Sequence, residues 1–93
     1  MIRHIVFFTV PTDRLEAAEA GLKRLERIAH ADLLEVRRNL RGDDLSREVD
    51  LVVYGEFADE TALARYKSDP IYAQAIQAVR PLRQLRVAAD IAS

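Results

Sequence analysis

The chain of 93 residues contains no cysteine and only three glycines and three prolines. Without cysteine it can form no disulfide, use no thiol nucleophile and hold no zinc–thiolate site. The few glycines form neither a Gly-rich phosphate loop nor a G-x-S-x-G nucleophile turn. No apolar run approaches the ~20 residues of a membrane span, and no signal-peptide pattern precedes the first apolar segment. We therefore expect a soluble cytoplasmic protein without a membrane partner.

An excess of charge of one sign is also missing. Lys and Arg number 14 and Asp and Glu number 15, which gives a formal net charge of -1. This balance gives no indication of a nucleic-acid partner. Four arginines do lie around one turn, and they form either a solvated group or an anion site; the first interpretation is favoured because scattered surface arginines are common. They are Arg37, Arg38, Arg41 and Arg47.

The first apolar segment, residues 2–10, is apolar on both faces of a strand and contains one histidine. Even positions, including His4, Val6 and Phe8, point one way, whereas Ile5 and Phe7 point the other. A strand with one solvated face would alternate apolar and polar residues. This strand therefore needs cover on both sides.

The rest of the chain predicts one α+β domain over residues 1–93. Apolar spacings and caps give a helix after Asp13, a strand at 33–40, a strand at 50–57, a helix after Asp59, a second helical piece from Asp69-Pro70, and a strand at about 85–91. Right-handed crossovers then favour a ferredoxin-like βαββαβ fold with antiparallel sheet order 4-1-3-2 and helices on one face.

Helices on one face leave the other face of the sheet uncovered. We expect the helices to bury the side with Ile5, Phe7, Leu51 and Val53. The opposite side would then carry an apolar patch of Ile2, Val6, Phe8, Val52, Tyr54 and Val87. A patch of that size rarely stays exposed on a monomer, and two sheets facing each other across a two-fold axis would cover it. The sequence therefore predicts a homodimer that pairs sheet to sheet.

Several segments resemble, in order and spacing, the family of stress-responsive dimeric A/B barrel proteins. They are Arg3-His4-Ile5-Val6-Phe7-Phe8, Arg38-Asn39-Leu40, Asp50-Leu51, Glu56-Phe57, Tyr66 with Ser68-Asp69-Pro70, and Val87-Ala88-Ala89-Asp90. The resemblance covers nearly the whole chain. It implies a ferredoxin-like protomer that pairs into a dimeric α/β barrel, and in some members of that family the cavity binds small molecules.

One member of the family, a plant polyketide cyclase, closes a ring by an aldol-type reaction without a cofactor. The resemblance implies that its basic histidine would stand two residues after the proline of the second-helix break. Here that position is Tyr72. The family's Ile-Pro-Gly before the second strand is also replaced, by Ile28-Ala29-His30. The first of these departures weakens any transfer of the catalytic role to this chain.

His4 and Asp90 lie on strands that the predicted order makes antiparallel neighbours, so their side chains could meet. A carboxylate would orient the imidazole and favour its charged form, which makes His4 a candidate acid or base with Asp90 as its partner. The alternative is a purely structural role, in which His4 and Asp90 form a hydrogen-bonded pair at the end of the barrel. This alternative is favoured because buried polar groups need partners whether or not they catalyse a reaction. The only other histidine, His30, is far from His4 in the sequence, and there is no cysteine or tight carboxylate cluster, so we expect no metal site. The resemblance to the cofactor-free cyclase also implies no cofactor.

The sequence leaves three functional hypotheses. The first is a small-molecule-binding protein with a cavity lined by His4, Val6, Phe8, Tyr54, Tyr66, Tyr72 and Asp90, suited to an apolar or aromatic ligand. The second is a cofactor-independent enzyme of the cyclase or monooxygenase type that uses His4. The third is a structural assembly module whose barrel is filled by its own side chains, with Tyr66 simply part of the core.

Overall fold

The computed structural model describes residues 1–93 and has one antiparallel sheet of four strands in the order β2-β3-β1-β4. The strands are β1 (Ile2–Thr9), β2 (Leu33–Arg38), β3 (Leu51–Phe57) and β4 (Leu85–Ala92). The predicted ferredoxin-like order 4-1-3-2 is this same order read from the other edge, and it is confirmed. The second strand ends at Arg38, two residues earlier than its apolar pattern predicted.

Three helices lie against one face of this sheet. They are α1 (Leu15–Lys23), α2 (Glu60–Ser68) and α3 (Pro70–Val79), and short 3₁₀ turns at Thr12–Arg14 and Arg24–Arg27 flank α1. The predicted cap at Asp13 is wrong, because the chain enters α1 through the first 3₁₀ turn and no side chain caps it. No helix has both the length and the apolar composition needed to cross a membrane.

The break between α2 and α3 forms as predicted. Asp59 caps α2 by accepting a hydrogen bond from the Ala62 N–H at 2.8 Å, and Asp69 caps α3 by accepting one from the Ile71 N–H at 2.9 Å. Pro70 occupies the first helical position, where a missing N–H costs nothing. The break puts Tyr66 at the end of one helix and Tyr72 at the start of the next.

The strand register corrects the predicted faces of β1. Val6 pairs with Val53 and Phe8 with Leu51, and residues directly opposite each other share one face of a sheet. Val6, Phe8, Leu51 and Val53 are all buried beneath the helices. The prediction that Val6 and Phe8 face away from the helices, with Phe7 beneath them, is therefore wrong.

The face away from the helices keeps much of its apolar surface. Its large apolar side chains come from β1, β3 and β4: Ile5, Phe7, Val52, Tyr54, Leu85, Val87 and Ile91. Of these, Phe7 is 42% exposed and Val87 is 51% exposed. We call the surface formed by these seven side chains the outer sheet face. Because β1 is apolar on both faces, its residue pattern could not identify the buried side.

Two glycines permit close packing near the centre of the fold. A Cβ on Gly21 of α1 would lie 2.9 Å from Val79 Cγ2, so the glycine lets α1 and α3 approach. A Cβ on Gly55, which pairs with His4, would lie 2.7 Å from Phe57 Cε2. Without that Cβ, the Phe57 ring can lie over the strand with its centroid 6.3 Å from that of the His4 ring.

Candidate functional site

His4 and Asp90 form a hydrogen-bonded pair across β1 and β4. The two residues are register partners, and His4 Nδ1 lies 2.5 Å from Asp90 Oδ1. His4 is 2% exposed, whereas the Asp90 side chain is 43% exposed. A carboxylate can only accept here, so Nδ1 carries the proton and Nε2 is left for another partner. Nε2 makes no hydrogen bond to the protein.

Phe57 and Tyr66 lie beside the His4 ring, and Tyr72 packs against Tyr66. Phe57 comes from β3, Tyr66 from α2 and Tyr72 from α3. The ring centroids lie 6.1 Å apart for His4 and Tyr66, 5.0 Å for Phe57 and Tyr66, and 5.2 Å for Tyr66 and Tyr72. Edge-on and tilted arrangements at these separations are favourable for aromatic pairs. The cluster therefore holds the Tyr66 ring in one orientation between the imidazole and Tyr72.

The hydroxyl of Tyr66 is buried and has no hydrogen-bond partner. Nearly every buried polar group in a folded protein is paired, so an unpaired one calls for an explanation. Burial raises the pKa of Tyr66, and the electrostatic effect of Tyr72 adds to the rise while that of Arg86 opposes it. The phenol therefore stays protonated near neutral pH and offers one O–H donor inside the fold.

A narrow cavity lies between the sheet and the helices at this point. Its volume is about 10 Å³, at the lower limit for one water molecule. Mostly apolar residues line it: His4, Val6, Phe8, Leu22, Leu25, Val53, Tyr66, Tyr72, Ile76 and Arg86. A cleft of about 230 Å³ shares Tyr72, Ile76 and Arg86 with this lining. The cavity and the cleft thus meet at these three side chains.

Most of the residues predicted for the site lie on the cavity side, but one does not. His4, Val6 and Phe8 line the cavity, which lies inside the protomer rather than between two sheets as predicted. Tyr54 lies on the outer sheet face, where its hydroxyl donates a 2.7 Å hydrogen bond to Glu56. That hydrogen bond raises the pKa of Tyr54.

The turn arginines are neutralised by nearby carboxylates. Arg38 donates two hydrogen bonds to Glu19, which lower the pKa of that carboxyl, and Arg37 pairs with Glu35 at 2.9 Å. Arg41 and Arg47 pair with Asp50 and Asp44. These pairs favour the interpretation of this group as ordinary surface charge over an anion site.

Sequence reasoning missed Arg86 as a residue of the site. Arg86 is the register partner of Phe8, which places it on the helix-covered face of β4. Arg86 could have been noticed as a single arginine between Leu85 and Val87 in an otherwise apolar strand. Its place in the site could then have been inferred only if Phe8 of β1 had been assigned to the helix-covered face. No group of three or more His, Cys, Asp or Glu side chains is placed to hold a metal ion.

The family model of the Stress responsive A/B Barrel Domain matches residues 2–93. The chain belongs to this family. The match confirms the resemblance seen in the ordered segments from Arg3 to Asp90. No curated protein matches the sequence of this A/B barrel protein.

Solved structures with the same fold cover almost the whole A/B barrel chain. A Dabb family protein from Mesorhizobium loti is 21% identical, with a TM-score of 0.79, over 99% of this chain and 95% of its own. A dimeric ferredoxin-like protein of unknown function from Thermobifida fusca is 23% identical, with a TM-score of 0.81, over 99% and 90%. A candidate antibiotic biosynthesis monooxygenase from Nitrosomonas europaea is 16% identical, with a TM-score of 0.83, over 100% and 98%. At these identities the likeness shows the fold.

Proposed function

We propose that this protein is a homodimer whose protomers each bind a small apolar or aromatic molecule with a polar substituent. The binding site is the cavity between sheet and helices together with the adjoining cleft. The unpaired, buried hydroxyl of Tyr66 carries this proposal. A ligand oxygen that accepts a hydrogen bond from this O–H would offset the desolvation of the phenol, which otherwise costs about 1–3 kcal/mol.

The size of the cavity sets the route by which such a ligand reaches Tyr66. The inner cavity of about 10 Å³ is too small for an organic molecule, while the cleft of about 230 Å³ is closer to the roughly 300 Å³ at the lower end of ligand pockets. Tyr72 lines both spaces and is only partly buried. A ligand in the cleft therefore contacts Tyr66 after the Tyr72 ring rotates outward. The structure favours a small ligand over a polyketide-sized one.

Tyr66→Phe should weaken binding of a small aromatic amide by about 5- to 10-fold, because it removes one hydrogen bond worth about 1 kcal/mol and keeps the ring. Benzamide and 2-naphthol are suitable probes, titrated against labelled protein by NMR. The expected result is saturable shifts at the amides of Val6, Val53 and Ile76. Tyr54→Phe is the matched control, since it removes the same hydroxyl from the opposite face.

The two variants separate a binding cavity from a filled core. Weaker binding in Tyr66→Phe together with unchanged binding in Tyr54→Phe supports the proposal. If neither these neutral probes nor benzoate gives saturable shifts at millimolar concentration, the binding proposal is wrong and an assembly module with a filled interior becomes the better interpretation.

A second candidate function is cofactor-independent proton transfer at His4. The supporting observation is the 2.5 Å contact with Asp90, which fixes the proton on Nδ1 and leaves Nε2 free as a base. Asp90 is the partner that orients the ring, and Tyr66 beside it could donate to a substrate carbonyl. Tyr72 stands where the resemblance implies the family's basic histidine, so His4 would have to supply the base alone.

Acetophenone tests this second candidate, because exchange of its methyl protons in D₂O requires a base beside the carbonyl group. We expect the wild-type protein to accelerate exchange by at least about 10-fold over His4→Gln, a threshold set below the 10²–10⁴-fold that general-base catalysis typically contributes. NMR follows the loss of the methyl signal at several pH values. Equal exchange rates for wild type and variant would limit the function to binding.

The outer sheet face supports the homodimer. It presents large apolar side chains from three strands, and monomers rarely expose a contiguous patch of this kind. The loop between β2 and β3 adds two further leucines, Leu40 and Leu45, which are 97% and 90% exposed. A second copy of the chain that covers the outer sheet face would also bring apolar surface near this loop. Burial of both surfaces would stabilise a two-fold dimer.

A further inference from the structure

Three arginines converge on the cleft beside the candidate cavity. Arg80 follows the end of α3, Arg83 lies in the turn after it, and Arg86 lies on β4. Together with Tyr72 and Ile76 they make up the whole lining of the cleft. No carboxylate belongs to that lining, so three positive charges lie around about 230 Å³.

These arginines differ in one respect from Arg37 and Arg38 at the end of β2 and from Arg41 and Arg47 in the loop after it. Each of those four has a carboxylate partner within 4.0 Å, whereas Arg80, Arg83 and Arg86 form no ion pair with any residue of the chain and lie together around one cleft. Like charges on one small surface repel each other and destabilise the folded protein. A bound anion would relieve this repulsion.

We infer that the ligand of this site is a small organic carboxylate, with its anionic group held by Arg86 and Arg83 in the cleft and its apolar body against Tyr72 and Ile76. This inference rests on the proposed binding function and narrows its ligand class. A guanidinium matches the planar carboxylate group and can donate two parallel hydrogen bonds to it.

The lining also explains why the anion would be organic. Tyr72 and Ile76 form an apolar side of the cleft and lead to the mostly apolar cavity around Tyr66. A free inorganic anion could contact only the arginines, whereas an organic carboxylate would also bury its aromatic or aliphatic body against Tyr72 and Ile76. Arg86 lines both the cleft and the cavity, so a carboxylate bound beside it in the cleft would also lie near Tyr66.

The electrostatic effect of Arg86 on Tyr66 agrees with this arrangement. Arg86 acts to lower the pKa of the phenol, against the larger effect of burial. A guanidinium close enough to do so would also be close to a carboxylate that accepts a hydrogen bond from the phenol. One ligand carboxylate could therefore satisfy Arg86 and Tyr66 together.

Benzoate and benzamide form a matched probe pair, because they share the ring and differ in the charge of the substituent. We expect benzoate to bind at least 10-fold more tightly than benzamide in calorimetric or NMR titrations at 50 mM salt. Arg86→Gln should remove most of this preference, with about a 10-fold or larger loss for benzoate and little change for benzamide. Arg65→Gln is the control, since Arg65 is exposed on α2 and lies outside both linings.

Each outcome has a defined meaning. Benzamide that binds as well as benzoate would overturn the carboxylate inference and leave the proposed binding function standing. A preference for phenyl phosphate over benzoate by 10-fold or more would also overturn it, in favour of a phosphate ester. Equal losses in Arg86→Gln and Arg65→Gln would reduce the effect to general charge attraction and overturn the assignment of Arg86. Failure of every probe to bind would remove the inference together with the function on which it rests.

Discussion

Phe7→Asp should convert the protein from a dimer to a monomer at micromolar concentration. Phe7 lies on β1, one of the two central strands, and its side chain is on the outer sheet face. A two-fold interface uses the same patch on both copies, so each variant dimer would bury two carboxylates. An uncompensated buried charge costs several kcal/mol, which corresponds to a loss of dimer affinity of roughly 1,000-fold or more.

Native mass spectrometry and analytical ultracentrifugation measure this change directly. The wild-type protein should show twice the 10.5 kDa protomer mass, and Phe7→Asp should show the protomer mass alone. Phe7 is 42% exposed in the isolated protomer, so the substitution leaves the helix-covered core intact. Circular dichroism should therefore show a folded monomer, although with a lower melting temperature because association no longer stabilises it.

Ala17→Asp is a suitable control, since it adds the same charge on the exposed side of α1. This variant should remain dimeric. Val87→Asp places the carboxylate on β4 of the same outer sheet face and should again give monomers. A wild-type protein that is monomeric at all concentrations, or a Phe7→Asp variant that stays dimeric, would show that the outer sheet face is not the interface.

The fold was largely predictable because its local signals agree with one another. Asp59 and the Asp69-Pro70 break mark the starts of the last two helices, and the order of elements then leaves few possible topologies. The start of α1 was less predictable, since Asp13 has the spacing of a capping box but lies within a 3₁₀ turn. Pro11 precedes this turn, and its carbonyl accepts a hydrogen bond from the Arg14 N–H at 2.9 Å.

The faces of β1 could not be read from its residues. Ile5 and Phe7 are as apolar as Val6 and Phe8, so either pair could lie under the helices. Which face of β1 is buried follows from the pairing register, which places His4 beside Gly55 and Asp90. A histidine was expected in a cavity between sheets, yet its burial beneath the helices is supported by one hydrogen bond and an aromatic neighbourhood.

The candidate site was predictable only in part for the same reason. His4 and Asp90 were paired from the strand order, and Tyr66 and Tyr72 from the family resemblance. Tyr54 was assigned to the site because it was placed on the same face of the sheet as Val6 and Phe8, whereas its register partner is Ile5. Arg86 was missed because a charged residue on that face of β4 only makes sense once the cleft at the end of α3 is known.

Phe8→Ala should lower the free energy of unfolding by about 3–5 kcal/mol, the usual cost of removing a buried phenyl ring. Phe8 is 3% exposed and belongs to the cluster of core residues beneath the helices. Such a loss is a large share of the roughly 5–15 kcal/mol that stabilises a typical domain. Urea unfolding at several protein concentrations measures it.

Phe7→Ala is the matched comparison, because it removes the same side chain one residue away on the opposite face. Its effect should grow with protein concentration, as expected for a contact between copies, and should fall below about 1 kcal/mol when extrapolated to the monomer. For Phe8→Ala, the loss in free energy of unfolding should not depend on protein concentration, provided that the variant and the wild type are in the same oligomeric state. If Phe8→Ala does not fold, Phe8→Leu and Phe7→Leu give the same comparison at smaller cost. A larger loss for Phe7 than for Phe8 in the monomer would reverse the two faces of β1, and the cavity around His4 would then lie between two sheets.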